Sequence, residues 1–368
     1  MNRDRENRKK VHLPDRVEST YPADAGKTER LSCSGKGFQF LENLACAYWH
    51  SEVLFTSIEL SLFDRLGQGK LTLPALAVAT SCKPEPLLRL LKVLETLELV
   101  VDKNGIWHNS PVTRRYLVST SPEYIGNFLL YRKYIRPTWQ ELIQAVSDAD
   151  SNMGTIPSMA DDYATRNFFY VRAMDEIAQR KAAETAVLLD GFSLPSPFLD
   201  IGGGAGAFSR GLLQINDKGT AFVFDLPEVI RAARQLHPDP EYWSGIQTME
   251  GNFVTHEFTA DQTFGTIVIS NFLHVYDPET ARHLLGKAIR LLRQDGFLLI
   301  HDYFPDRNLR SSLKGRLYDL NMMLNTYNGT CHSARRITSW LRQERMDPGR
   351  VYDLPSDTSI IVSSFKKP

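Results

Sequence analysis

The sequence predicts an α/β fold: a doubly wound, mostly parallel sheet that finishes in an antiparallel hairpin, preceded by an α-helical winged-helix domain. Three observations carry that expectation. Apolar runs at Phe198 to Ile201, Ala221 to Asp225, Ile246 to Glu250, Thr266 to Ser270 and Phe297 to Asp302 alternate with helical patterns, the rhythm of a Rossmann-like sheet covered on both faces. Near the end, Gly349 to Leu354 and Thr358 to Phe365 flank the turn Pro355-Ser356-Asp357, which folds the chain back as a hairpin. Upstream, two short helical stretches, Leu73 to Ala77 and Lys83 to Leu94, precede Leu99-Val100-Val101, an Asn104-Gly105 turn and Ile106-Trp107, the order of a winged helix-turn-helix.

Taken in order, the chain divides into four parts. Residues 1–36 are polar, mixed in charge and poor in apolar residues, and read as a disordered tail. In the domain expected over 37–120, Phe40, Leu44, Tyr48, Val53, Phe55, Ile58, Leu62 and Leu66 recur at helical spacing over a longer span than a small domain needs. Part of that surface is expected to meet a second copy of the chain. The helix that would read DNA, Glu85 to Leu97, carries only Arg89 and Lys92 as basic residues beside Glu85 and Glu95, too few for a row of phosphate contacts. Residues 121–189 read as helices dense in aromatic side chains, among them Tyr131, Phe168 and Tyr170, with a looser stretch from Asp148 to Pro157. Such a region links domains and covers a flat substrate, or is simply core. Residues 190–368 carry the sheet.

A chain of 368 residues is long for one core, which favours two domains. Hydrophobic content of 42% and charged content of 23% are those of an ordinary globular protein. The 43 basic residues balance the 43 acidic ones, which removes the electrostatic footprint of a general nucleic-acid binder. Cys33, Cys46, Cys82 and Cys331 are scattered without a C-x-x-C pair, so neither a disulfide framework nor a metal site is expected. No apolar run reaches membrane-spanning length and no hydrophobic signal region opens the chain, so a cytoplasmic location away from membranes is the expectation.

The chemistry concentrates in Pro197 to Gly206, P-F-L-D-I-G-G-G-A-G, a strand running through a tight turn into a helix start. Gly202, Gly203, Gly204 and Gly206 put no Cβ between backbone and ligand, and the helix start offers unpaired N–H groups. The spacing Gly202-x-Gly204-x-x-Ala207 also fits a loose dinucleotide pattern. Asp200 decides between the two: a fixed carboxylate repels a pyrophosphate and attracts a sulfonium or an ammonium, so S-adenosyl-L-methionine (SAM) is expected rather than NAD. Asp225 ends the next strand, close to where a doubly wound unit places a ribose-binding acid, and is expected to hold the two ribose hydroxyls, the alternative being an N-cap for a helix beginning at Pro227. His274 follows the apolar run Ile267 to Ile269, at the edge where open α/β sheets bind ligands. It reads either as a base for an acidic hydroxyl or as a structural histidine at a strand end.

These residues, in this order, resemble the class I SAM-dependent small-molecule O-methyltransferases of the acetylserotonin, hydroxyneurosporene and plant phenolic type, over about Phe38 to Phe365. The carriers are Leu199 to Gly206, Asp225-Leu226-Pro227, Gly251-Asn252-Phe253 and Ser270-Asn271-Phe272-Leu273-His274, with Ile300 to Phe304 and Leu320 to Thr326 similar to bacterial members. The resemblance implies O-methylation of a small, aromatic, hydroxylated secondary metabolite by a homodimer joined through the winged-helix domain. It implies SAM held by Asp200, Gly202, Gly203, Gly204, Gly206, Asp225, Leu226, Asn252, Phe253 and Ser270. It makes His274 the base, with Asp302 on the second ring nitrogen, and puts Met174, Met322 and Asn325 near the acceptor. The chain departs from the family at Asp302, where a glutamate is usual, at Asn252, Val275 and Tyr276, and at Asn328 to Ser333, where Cys331 or His332 stands in place of a further carboxylate. C- or N-methylation, a non-methylating chemistry and a ligand-sensing winged-helix regulator are the other functions compatible with this fold.

Overall fold

The computed structural model describes residues 37–69, 71–147, 163–216, 218–307 and 312–366. The tail expected over 1–36 and the looser stretch from Asp148 to Pro157 lie outside the described residues. The chain forms two compact units, one up to Thr56 and one from Ser57 onward. In the first, helix Phe38–Cys46 buries none of its side chains, and Phe38, Leu41, Leu44, Tyr48 and Trp49 are exposed. The apolar helical span read from the sequence is broken at Ala47 and again at Ser61, whose φ of 51° is left-handed.

In the second unit, β1 (Leu71–Thr72), β2 (Val100–Lys103) and β3 (Ile106–Asn109) form an antiparallel sheet in the order β1-β3-β2, with helices Leu73–Ala79 and Pro84–Thr96 ahead of β2. The β2–β3 turn has Asn104 at φ 56° and Gly105 at φ 80°, two left-handed positions that an Asn-Gly pair supplies at low cost. Helix Pro84–Thr96 buries Leu87, Leu91 and Leu94. Its two basic residues face acids, Arg89 on Glu85 at 2.6 Å and Lys92 on Glu95 at 2.9 Å.

The larger sheet consists of β4 (Phe198–Ile201), β5 (Ala221–Asp225), β6 (Ile246–Glu250), β7 (Phe264–Ser270), β8 (Leu292–Asp302), β9 (Arg350–Asp353) and β10 (Ser359–Ser364). Their order is β6-β5-β4-β7-β8-β10-β9, parallel from β6 to β8 and antiparallel at β8–β10 and β10–β9. Every residue of β4 is buried. Phe198 packs in one core with Phe208, Leu212, Ile230 and, from the long helix Tyr163–Leu188, Val171 and Ala182. Leu199 and Ile201 pack in the other with Leu284, Leu285, Ile337 and Leu341. Alternate side chains of a strand point to opposite faces, so this one strand ties both helical layers to the sheet. The chain crosses to β5 on one side of β4 and later to β7 on the other, which opens a crevice at the carboxyl ends of β4 and β7.

Two strands start earlier than their patterns suggest, β7 at Phe264 rather than Thr266 and β8 by a wider margin. β8 begins at Leu292 rather than Phe297 because Leu292 pairs with Phe264, across a register shift between Phe264 and Thr266. Gly265 sits at that shift, where a Cβ would overlap the backbone carbonyl of Pro195. Among the described residues no helix is long and apolar enough to cross a membrane. Replacing Gly265 by Ala is expected to destabilise the protein by about 1–3 kcal/mol, since the obstacle is backbone that a rotamer change does not relieve. Thermal unfolding checks this: a Tm lowered by several degrees is expected, and an unchanged Tm contradicts the packing described.

Candidate active site

The bend after β4 is built around a buried acid. Helix Ala207–Ile215 starts at Gly206, which has φ 81° and no side chain with which to cap the helix. Asp200 does so from the strand: its Oδ2 accepts from the Ser209 N–H at 3.1 Å and from the Ser209 hydroxyl at 3.0 Å. The residue is 1% exposed, and its other oxygen, Oδ1, is buried and meets no hydrogen-bond partner among the described residues. Burial pushes its carboxyl up to about 7, against the opposing pull of the two Ser209 bonds. Two of the glycines are required by what lies next to them. A Cβ on Gly203 would come within 2.8 Å of Asp200 Cγ, and one on Gly202 within 2.6 Å of the Phe272 ring. Over Gly204, at φ 56°, there is open space. A lone buried carboxylate oxygen is costly unless a cation or a donor offsets it, so this cradle fits a cofactor carrying an ammonium or sulfonium and does not fit a pyrophosphate.

Asp225, at the end of β5, belongs to the same bend. Its Oδ2 accepts from the Gly204 N–H at 2.8 Å and its Oδ1 from the Leu226 N–H at 2.8 Å. The N-cap alternative fails, because the cap of helix Pro227–Leu236 is Leu226, with no side-chain cap bond. Burial pushes the Asp225 carboxyl up to about 6, against those two backbone bonds. Each of its oxygens keeps a lone pair for a hydroxyl donor. Asn252, exposed after β6, accepts the Val254 N–H on its Oδ1 at 2.9 Å, and its amide nitrogen has no hydrogen-bond partner among the described residues. Phe253 is 4% exposed, with its ring edge-on to Phe224 and Phe272 at centroid distances of 5.7 and 6.0 Å. Lys287 ties down this loop, donating to the carbonyls of Phe253 and His256.

Across the crevice, His274 lies on the short helical turn Leu273–Val275 that follows β7 and is buried. Its Nδ1 is 2.6 Å from Oδ1 of Asp302, the last residue of β8. Because a carboxylate only accepts, a neutral ring carries its proton on Nδ1 and leaves Nε2 as a free acceptor, with no partner among the described residues. Asp302 thus reaches the ring directly, despite being one methylene shorter than glutamate. Neither substitute for the further carboxylate touches the ring. His332 donates from Nε2 to the Leu273 carbonyl at 3.1 Å, holding the turn that carries His274. Cys331 has its N–H on Asp319 at 2.6 Å, and burial pushes its thiol far above the usual range.

The remaining expected residues divide. Ser270 Oγ is 3.0 Å from Nδ1 of His301, whose Nε2 is 2.8 Å from the Thr358 hydroxyl. Burial holds His301 well below the usual histidine range, with the Lys181 charge adding to it, so this ring is neutral and engaged on both nitrogens. Met322 is buried and Met174 half-buried. Asn325 is occupied by the protein, accepting from the Thr138 hydroxyl at 3.0 Å and donating to the Asn321 carbonyl at 3.1 Å. Tyr318 was not picked out from the sequence. Its ring stands edge-on to His274 with centroids 5.5 Å apart and tilts over Tyr303 at 4.2 Å. The available signal was its spacing of one helical turn from Met322 on helix Ser312–Asn325. Among the described residues no group of three or more His, Cys, Asp or Glu side chains is placed to hold a metal ion.

Comparison with known proteins identifies the family and the fold. Residues 139–344 match the family model for the O-methyltransferase domain, and residues 42–119 match that for the O-methyltransferase dimerisation domain. The 3-hydroxy-5-methyl-1-naphthoate 3-O-methyltransferase of Streptomyces sahachiroi is 26% identical over 306 residues, 82% of this chain and 87% of that one. Acetylserotonin O-methyltransferase of Macaca mulatta is 27% identical over 315 residues, 80% of this chain and 88% of that one. The solved structure of human N-acetylserotonin methyltransferase in complex with SAM shares the fold with a TM-score of 0.77 at 23% identity, covering 93% of this chain and 100% of that one. With its catalytic-domain match spanning more than half of the chain, this protein belongs to the O-methyltransferase family of transferase enzymes.

Proposed function

We propose that this enzyme methylates a hydroxyl of a small aromatic metabolite, with SAM as methyl donor and His274 as general base, and that it works as a homodimer. The observation that carries the reading is the His274–Asp302 pair, with Nε2 free, at the same carboxyl edge of the sheet as the bend over Asp200. SAM supplies an electrophilic methyl on a sulfonium sulfur. Asp200 and the open space over Gly204 favour the cationic amino-acid end of such a donor, and Asp225 accepts from its ribose hydroxyls. The exposed Asn252 amide nitrogen leaves a donor available for the adenine, and the buried Phe253 ring anchors that loop.

A phenol has a pKa of about 10 and is protonated, hence weakly nucleophilic, at neutral pH. His274 Nε2 takes that proton while Asp302 holds the opposite N–H and stabilises the imidazolium that forms. The edge of Tyr318, together with Met174 and Met322, suits a flat acceptor, and the two relatives named above carry aromatic substrates in their names, a naphthoate and acetylserotonin. A homodimer is supported by the dimerisation-domain match and by the unburied apolar face of helix Phe38–Cys46.

His274→Ala is expected to lower kcat by at least ~10²-fold while SAM affinity stays within a few-fold, as measured by transfer of a labelled methyl group and by equilibrium titration. Undiminished turnover would remove the base role. Cofactor binding is also expected to depend on pH. A cation over the bend favours the ionised forms of Asp200 and Asp225, raised to about 7 and about 6, so binding releases protons and is strongest above pH 7. As pH falls through 7 to 6 the carboxylates protonate and SAM affinity drops, by about tenfold or more between pH 8 and 5.5. A flat affinity profile over that range contradicts the assignment of these two acids.

A further inference from the structure

Arg132 is a half-buried cation without an anion. It lies on helix Gly126–Tyr134, and among the described residues no carboxylate or other acceptor binds its guanidinium, which rests on the faces of Phe128 at 4.9 Å and Tyr318 at 5.9 Å from the ring centroids. By contrast, Lys133, the next residue on the helix, pairs with Glu59 at 2.7 Å, Arg180 with Glu184 at 3.2 Å and Lys314 with Asp357 at 3.1 Å. The acids near the site are committed elsewhere. Asp302 serves His274, Asp225 the glycine bend, and Asp319 the backbone of Cys331. Holding a guanidinium partly out of water with only ring faces for company leaves its five N–H donors largely unused.

Its position gives those donors a purpose. On one side, the Tyr318 ring beneath Arg132 stands 5.5 Å from His274. On the other, Tyr131, the next residue along the helix, packs edge-on to Tyr170 at 5.5 Å. The Tyr170 phenol is pushed up by desolvation and then by the Asp225 charge, while the Arg132 charge opposes the rise. Arg132 therefore sits among the rings that run from the catalytic histidine to the ribose-binding acid. Lys181 lies behind this wall, buried, with its Nζ 4.4 Å from the Tyr303 ring centroid and burial pushing its ammonium down to about 7, and Tyr303 in turn tilts over Tyr318.

We infer that Arg132 binds an anionic substituent of the acceptor, so that the preferred substrate is a hydroxylated aromatic carboxylic acid rather than a neutral phenol; the inference rests on the reading that His274 faces the acceptor hydroxyl. The guanidinium fork matches a carboxylate with two parallel hydrogen bonds and at the same time tolerates stacking on aromatic faces, which a lysine does less well. Anchoring the carboxylate at Arg132 holds it away from His274 and leaves the hydroxyl to lose its proton to Nε2.

The test uses two matched pairs, 6-hydroxy-2-naphthoate with its methyl ester and 4-hydroxybenzoate with its methyl ester, titrated into full-length enzyme saturated with S-adenosylhomocysteine. In wild type the acid of at least one pair is expected to bind ~10-fold or more tightly than its ester, R132Q is expected to bring that ratio close to one, and R132K to retain part of it. Should R132Q not fold, the wild-type ratio and R132K decide. Esters that bind as well as the acids, binding of neither member of either pair, or a ratio unaltered in R132Q overturns the inference. Methyl transfer to the esters with no preference for the acids would retire Arg132 and leave the His274 reading standing. A clear acid preference together with full turnover in His274→Ala would do the reverse.

Discussion

The Asp200–Ser209 contact is the interaction on which the rest of the site depends. One carboxylate oxygen fixes the start of helix Ala207–Ile215, and in doing so pulls the acid beneath the glycines and out of water. The other oxygen is left buried and unmatched. Gly203 has to be glycine because Asp200 fills the space of a Cβ, and Gly202 because Phe272 does. A single acidic side chain thus dictates the shape of the bend, its sign of charge and the kind of ligand that relieves it.

The fold brings this bend to the chemistry by placing β4 between β5 and β7. The ends of β4 and β5 present Asp200 and Asp225, and the ends of β7 and β8 present His274 and Asp302. Two histidines at this edge have opposite characters. His301 is bonded on both nitrogens and is held neutral by burial, so it serves the sheet. Among the described residues His274 is bonded on one nitrogen only, which leaves the other an open acceptor. Sequence position alone does not distinguish the two; the difference lies in which neighbours each strand end supplies.

Much of this was legible in the chain. β4, β5 and β6 begin and end where their apolar runs do, because an acid or a glycine stops each run abruptly. The start of β8 was not, since Leu292-Arg293-Gln294-Asp295-Gly296 looks polar and is drawn into the sheet by pairing with Phe264. The acids and glycines of the bend are local in sequence, and local motifs read well. Phe253 and Asn325 have surroundings that their own neighbourhoods in sequence do not show: one ring packs in an aromatic cluster and one amide is held by Thr138 and Asn321. Tyr318 and Arg132 come to the site on helices far apart in sequence, and nothing in their own neighbourhoods marks them.

Recognition of the methyl donor depends on the charge of the buried acid under the bend. Calorimetric titration of SAM and of S-adenosylhomocysteine into wild type and Asp200→Asn tests it most directly, because asparagine keeps the shape and an acceptor for Ser209 while removing the charge. The account predicts that the substitution weakens SAM by ~10-fold or more and costs the uncharged thioether product less. Equal affinities of wild type and variant for SAM would contradict it.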